Sequence, residues 1–303
     1  MNLQKTSTLN PDQEVRTTRP LSKEQVAQYY EDGFVIVRGL FEPNEVEPLR
    51  LACEEDPSIR DSQITVADAD GNTYHPCIWH DLSNSYVGIV PRMARVVDAI
   101  ELLMGEECYH WHSKIVMKRP YDSSRVEWHQ GYGGWYDDGC VFPSLITCTI
   151  AINSNTKENG CLQVLKKSHL LGRLDHEMVG DTVGSNPERT KEVLKRLEVV
   201  DCEMESGDAI FFHANMMHAS QPNPTDRLRV LLHCHYNAAS NEPIDPKGQE
   251  HHLYQPLEKL SDSVIKNGLY NSVFDNQKFN KPGAGADGVW NWYLREGHQH
   301  NPK

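Results

Sequence analysis

The stretch AIFFHANMMHASQPNPTDRLRVLLHCHY, residues 209–236, decides the fold class. It opens with a short apolar run at 209–213 and passes a breaker cluster, Gln221-Pro-Asn-Pro-Thr-Asp226, before a second run at 228–236. Two such runs separated by turn residues read as β-strands. Side chains alternate along a strand, so Arg229, Leu231, His233 and His235 share one face of the second run. An inward arginine and two inward histidines must be hydrogen-bonded, either within a barrel wall or by a polar ligand.

Working backward, the β texture begins after Gly105. In 110–118 the same period puts His110, His112, Lys114, Val116 and Lys118 on one face and Trp111, Ser113, Ile115 and Met117 on the other. Further strands are expected at 145–153 and 160–165, separated by Gly/Asn-rich turns, with a helix inserted at 190–196. Before Gly105 the pattern is helical. Ser22 and Gln25 form a capping-box signature ahead of Val26, Tyr29 and Tyr30, and Asp32-Gly33 stops that helix before the strand Phe34-Val-Ile-Val37. Helices are also expected at 43–51, with Pro48 inside it, and at 90–104. The fold class is therefore α+β, helices packed on a many-stranded sheet or barrel. Residues 1–20 read as a polar arm, 21–245 as one domain, and 246–303 as a Gly/Asn/Pro-rich extension packing on or near the core.

Thirty Lys and Arg against 43 Asp and Glu leave 303 residues with a net charge of −13. That balance argues against a nucleic-acid polymer or an anionic membrane as partner, since both need dense positive charge. No stretch is apolar enough to span a bilayer and no signal-peptide core is visible, so the expected compartment is cytoplasmic. Eight cysteines without a CxxC pair fit reduced, mostly buried thiols.

Fifteen histidines supply many decoys, so order and context matter more than number. His129 lies in Trp128-His-Gln-Gly131 and His218 in Met216-Met-His-Ala-Ser220, eleven positions before Arg229. Two neutral imidazoles with open positions suit a borderline metal such as Fe(II), and a guanidinium grips a carboxylate with two parallel hydrogen bonds.

These segments resemble the phytanoyl-CoA dioxygenase family of non-haem Fe(II)/2-oxoglutarate oxygenases. The likeness runs from about residue 20 to 240, through Ser22-Lys-Glu-Gln-Val26, Tyr30-Glu-Asp-Gly-Phe-Val35, His112-Ser-Lys114 and Trp128-His-Gln130. It continues through Lys157-Glu-Asn-Gly-Cys-Leu-Gln-Val164, Ser168-His169, Gly207-Asp208, Phe211-Phe-His213 and His218 to Arg229. The resemblance implies a double-stranded β-helix (jelly-roll, cupin-like) barrel with a mainly β core and flanking helices. It implies Fe(II) held by His129 and His218, and 2-oxoglutarate held by Arg229 with Ser220 as hydroxyl partner and Lys114 as a weaker candidate. His213 competes for the second ligand, but the step to the arginine selects His218. His169 reads as structural.

The departure is Gly131, where the family pattern His-x-Asp completes two histidines and one carboxylate. In an extended segment residues 129 and 131 point the same way, so the missing carboxylate would have faced the iron. Three readings compete: a protein that has lost its metal, recruitment of a carboxylate from elsewhere, or an exogenous anion in that seat. Charge favours the last, because chloride replaces one negative charge with another and glycine leaves it room. His-x-Gly resembles the halogenase variants of these enzymes. The implied reaction consumes O2 and 2-oxoglutarate and transfers chlorine to an unactivated carbon through a chloride-ligated Fe(IV)-oxo. Gly134, Trp135, His233 and His235 are candidate pocket residues, and Lys118, Arg119, Arg125 and Arg173 a candidate anionic rim. They fit a small polar metabolite such as a purine deoxynucleotide. The alternatives are a 2-oxoglutarate-dependent hydroxylase whose Asp was replaced, by drift or engineering, and a non-catalytic jelly-roll binding protein.

Overall fold

Alternation of apolar and polar residues along 229–238 requires a layer on each side of that strand, and the computed structural model supplies both. It describes residues 20–245, 250–274 and 277–280. Arg229–Ala238 lies inside a six-stranded antiparallel sheet. The order is Phe34–Val37, Ala209–His213, Leu145–Ala151, Arg229–Ala238, Cys108–Lys118, Cys77–Trp79. Val230, Leu232, Cys234 and Tyr236 join Ile146, Cys148 and Ile150 against the helical side, where Val96, Val97, Ile100 and Leu103 of Ala94–Met104 cover them. Arg229, Leu231, His233 and His235 face the opposite way, toward a four-stranded sheet ordered Val199–Asp201, Leu162–Leu165, His218–Ser220, Val126–His129. Two facing sheets with helices on one outer face make the double-stranded β-helix barrel. Phe34, Leu162, Val164, Ile210, Phe212 and Leu231 fill one part of the space between the sheets with a dry core.

Local chemistry explains most boundaries. Ser22 and Gln25 exchange the capping-box bonds, at 3.2 and 2.8 Å, and Gly33 ends the helix at φ 85°, a conformation glycine adopts without strain. The helix from Pro43 runs on to Glu55 in spite of Pro48. The helix expected at 190–196 instead spans Pro187–Leu194, because Asn186 caps it by accepting from the Arg189 amide at 3.0 Å.

Two expectations are corrected. Residues 90–104 are not one helix: a 3-10 turn, Val90–Arg92, precedes an extended Met93 before Ala94–Met104 begins. The break lets Leu260 exchange bonds with Arg92 O (2.8 Å) and Ala94 N (2.9 Å), docking the segment after residue 250 onto the core. Strict alternation along 110–118 also fails. His235 pairs with His112 but Tyr236 pairs with His110, so Trp111 is an extra residue in a β-bulge. Trp111 consequently joins Tyr109 in an interior cluster. His110 turns away, beside Tyr236, and hydrogen-bonds Ser113 Oγ at 2.8 Å.

All eight cysteines are free and buried. Among the described residues no helix is long and apolar enough to cross a membrane.

Candidate functional site

His129 ends Val126–His129 and His218 opens His218–Ser220, and the register places them directly opposite each other. Their ring centroids are 4.0 Å apart. Each ring is set the same way. His129 Nδ1 donates to Glu127 O at 2.8 Å, and His218 Nδ1 donates to Met216 O at 3.0 Å. A carbonyl can only accept, so the proton sits on Nδ1 and the Nε2 lone pair is left for a metal. Burial, reinforced by the neighbouring His218 ring, holds His129 well below the ordinary imidazole pKa. Burial, with the Lys114 charge nearby, lowers His218 to about 4. Both rings are therefore neutral at pH 7, the form in which an imidazole can bind a metal.

A cavity of about 120 Å³ opens beside the pair. Lys114, Ser220, Arg229 and His233 line it together with both histidines, as do Tyr74 and Asp181. Arg229 is 1% exposed, and burial lowers its pKa to about 10, so it stays charged. Its Nε and Nη2 are buried without a hydrogen-bond partner, as is Ser220 Oγ. Orphaned donors on a buried cation are costly, and a carboxylate would satisfy them. Lys114 pairs across the strands with His233 and is lowered to about 8 by burial. His233 Nδ1 lies 2.8 Å from Thr149 Oγ1. This donor set fits a divalent metal and a dicarboxylate side by side.

Other expected residues lie elsewhere. His235 sits past the cavity, with Nδ1 2.7 Å from Thr147 Oγ1 and its ring against His112 and Trp135. His213 accepts from the Asn215 amide at 3.0 Å and packs on His169, away from His129. Nor do the four rim cations gather at the cavity. Lys118 is buried and donates to Ser124 O and Gln221 O, Arg125 pairs with Asp70, and Arg173 lies over the Tyr136 ring. Arg119 is exposed.

Gly131 is not in an extended segment. Gln130 is the last extended residue (φ −106°, ψ 138°), and Gly131 begins a helical turn through Gly134 to Trp135. One turn on, the Trp135 indole folds back over it, as side chains at i+4 do. A Cβ at 131 would lie 2.6 Å from Trp135 Cη2, so an indole edge stands where open space was expected. Gln130 does point away. Its amide bonds Gly172 O, Asn215 O and Leu174 N, each at 2.8 Å, anchoring the next loop. Among the described residues no Asp, Glu or Cys joins His129 and His218 in a three-ligand group. Sequence reading also missed His176, which accepts from the Gln130 amide at 3.0 Å, and nothing in its local pattern marks it.

The phytanoyl-CoA dioxygenase family model matches residues 29–231, two thirds of the chain, including His129, His218 and Arg229. The chain belongs to that family. It is 26% identical over 249 residues to the ectoine dioxygenase of Sphingopyxis alaskensis, covering 76% of this chain and 80% of that one. To the L-proline trans-4-hydroxylase of Streptomyces griseoviridis it is 26% identical over 242 residues, covering 72% and 87%. Among solved structures it resembles EctD from S. alaskensis with 2-oxoglutarate and 5-hydroxyectoine. That likeness has a TM-score of 0.66 and 23% identity, over 82% of this chain and 90% or more of that one (91%). The same protein has also been solved with bound Fe. The chain is thus a non-haem iron, 2-oxoglutarate-dependent oxygenase by family.

Proposed function

We propose that this enzyme binds Fe(II) through His129 and His218 and 2-oxoglutarate through Arg229 and Ser220, and that it halogenates a C–H bond of a small polar metabolite. One observation carries the halogenase reading: glycine stands in the seat of the family carboxylate, and among the described residues no Asp or Glu completes a three-ligand group with the two imidazoles. Iron with 2-oxoglutarate, O2 and chloride would supply the oxidising power and the transferred halogen. The side chains do the rest. Two neutral imidazoles orient the metal, and the buried guanidinium fixes the distal carboxylate of the co-substrate, with Lys114 adding positive charge. Trp135 lays the edge of its indole toward Gly131. An aromatic edge carries partial positive charge, which suits an anion.

Hydroxylation is the second reading, and the names of the relatives favour it over chlorination. Both readings take a small-molecule substrate. His233 and Lys114 support a polar one. The absence of a gathered cationic rim weakens the case for a deoxynucleotide, which stays one member of the panel to be tested.

Purified protein with Fe(II), 2-oxoglutarate, chloride and a panel of amino acids and nucleotides, read by mass spectrometry, tests this. A chlorine isotope doublet supports halogenation, and a bare gain of oxygen assigns hydroxylation instead. No iron-dependent succinate release with any substrate would leave a binding protein.

A further inference from the structure

The chemistry proposed above leaves three histidines unused at the barrel end beyond Trp135. His80 follows Cys77–Trp79, His112 lies beside the bulge in Cys108–Lys118, and His252 closes the turn Glu250–His252. One ring nitrogen from each lies within 4.8 Å of the other two. Nitrogens sharing a tetrahedral zinc at about 2.0–2.1 Å stand roughly 3.4 Å apart, so small side-chain rotations close the site.

The rings are held in place by their surroundings. His80 Nδ1 lies 3.1 Å from Asn280 Oδ1, and donation to that acceptor leaves Nε2 with its lone pair. His252 stacks on the buried Trp111 with centroids 3.7 Å apart and planes 12° from parallel, and its carbonyl accepts from Tyr109 Oη at 2.9 Å. His112 is 9% exposed, and its Nδ1 is buried with no hydrogen-bond partner. Such a nitrogen is unfavourable unless something binds it. Burial keeps His80 and His112 neutral at pH 7, the form that ligates. A set of three imidazoles without a carboxylate selects borderline divalent metals over Mg(II) or Ca(II).

We propose that His80, His112 and His252 form a second metal site, of the zinc class, distinct from the iron pair. It clips the segment at 250–252 onto two strands of the large sheet. The site reaches the first through His112, whose ring stands edge-on to Trp135 at 6.1 Å.

The test uses the full chain carrying His129→Ala and His218→Ala, which removes the iron pair, after chelator treatment and titration with zinc chloride. One equivalent should bind with a Kd below about 1 µM and raise Tm by several degrees, as expected for a ligand that binds only the folded state. Cobalt(II) should give the visible bands of a tetrahedral site. Adding His252→Gln, and separately His80→Gln, should weaken zinc binding at least about 100-fold, on the scale of losing a metal ligand, while the circular dichroism spectrum stays unchanged. The proposal is overturned if the parent binds no zinc, or if it binds zinc and both glutamine variants retain the affinity.

Discussion

Introducing the family carboxylate, Gly131→Asp, tests packing and chemistry together. A Cβ there meets Trp135 Cη2 at 2.6 Å, Cζ3 at 2.7 Å and Cζ2 at 3.0 Å. Carbon atoms in contact settle at about 3.5–4.0 Å, so the indole must retreat by roughly 1 Å. It has little room, being 8% exposed and leaning on His112 and His235. Over-packing of this kind costs about 1–3 kcal/mol, which in a chain of this size lowers Tm by roughly 2–5 °C. Combining Gly131→Asp with Trp135→Phe, which shortens the ring, should return most of that loss. The new carboxylate adds a protein ligand to the metal. Iron affinity in the double variant should therefore rise by at least about tenfold, the scale on which even outer-shell changes act. Chlorinated product should disappear, with any remaining turnover adding oxygen. Thermal unfolding, iron titration and product mass with and without chloride read the three effects. An unchanged Tm for Gly131→Asp would refute the packing, and retained chlorination would show that the halide does not sit beside residue 131.

Three further outcomes follow from the same geometry. Arg229→Ala should raise the 2-oxoglutarate requirement by about 100-fold or more, and Arg229→Lys should rescue little because a point charge lacks the paired donors. Succinate release against 2-oxoglutarate concentration measures this, and an unchanged requirement would mean that another cation holds the co-substrate. Ser220→Ala should raise the same requirement only a few-fold with Tm nearly unchanged, since the hydroxyl has no protein partner to lose. Metal-free protein should lose stability as pH falls from about 6.5 to 4. Buried His218 and His213 are lowered to about 4, and His80 and His110 to about 3, so the unfolded chain binds protons in this range that the folded one excludes. Tm across that window, compared with a His213→Gln variant that should flatten the slope, checks the sign.

Much of the barrel and of the site was legible in one dimension. The alternation at 229–236 survives folding because that strand is paired on both sides and has a layer against each face, so the inward set of Arg229, Leu231, His233 and His235 is what a period of two requires. The eleven-residue step from His218 to Arg229 and the order of motifs singled out His129, His218 and Arg229, which the fold brings to one cavity. The family match over 29–231 spans the same residues. Nothing local in the sequence marks the bulge at Trp111, since it is an offset between strands 108–118 and 229–238 visible only once they pair, and it alone sends His110 outward. Likewise the break at Met93 depends on Leu260, far along the chain. The sequence showed that residue 131 lacks a side chain. Tertiary structure decided what stands in its place, because the backbone turns helical after Gln130 and carries the Trp135 ring back over the glycine. His80, His112 and His252 are scattered through the chain and meet only because a bulged strand, a strand end and a docked turn converge at one end of the barrel.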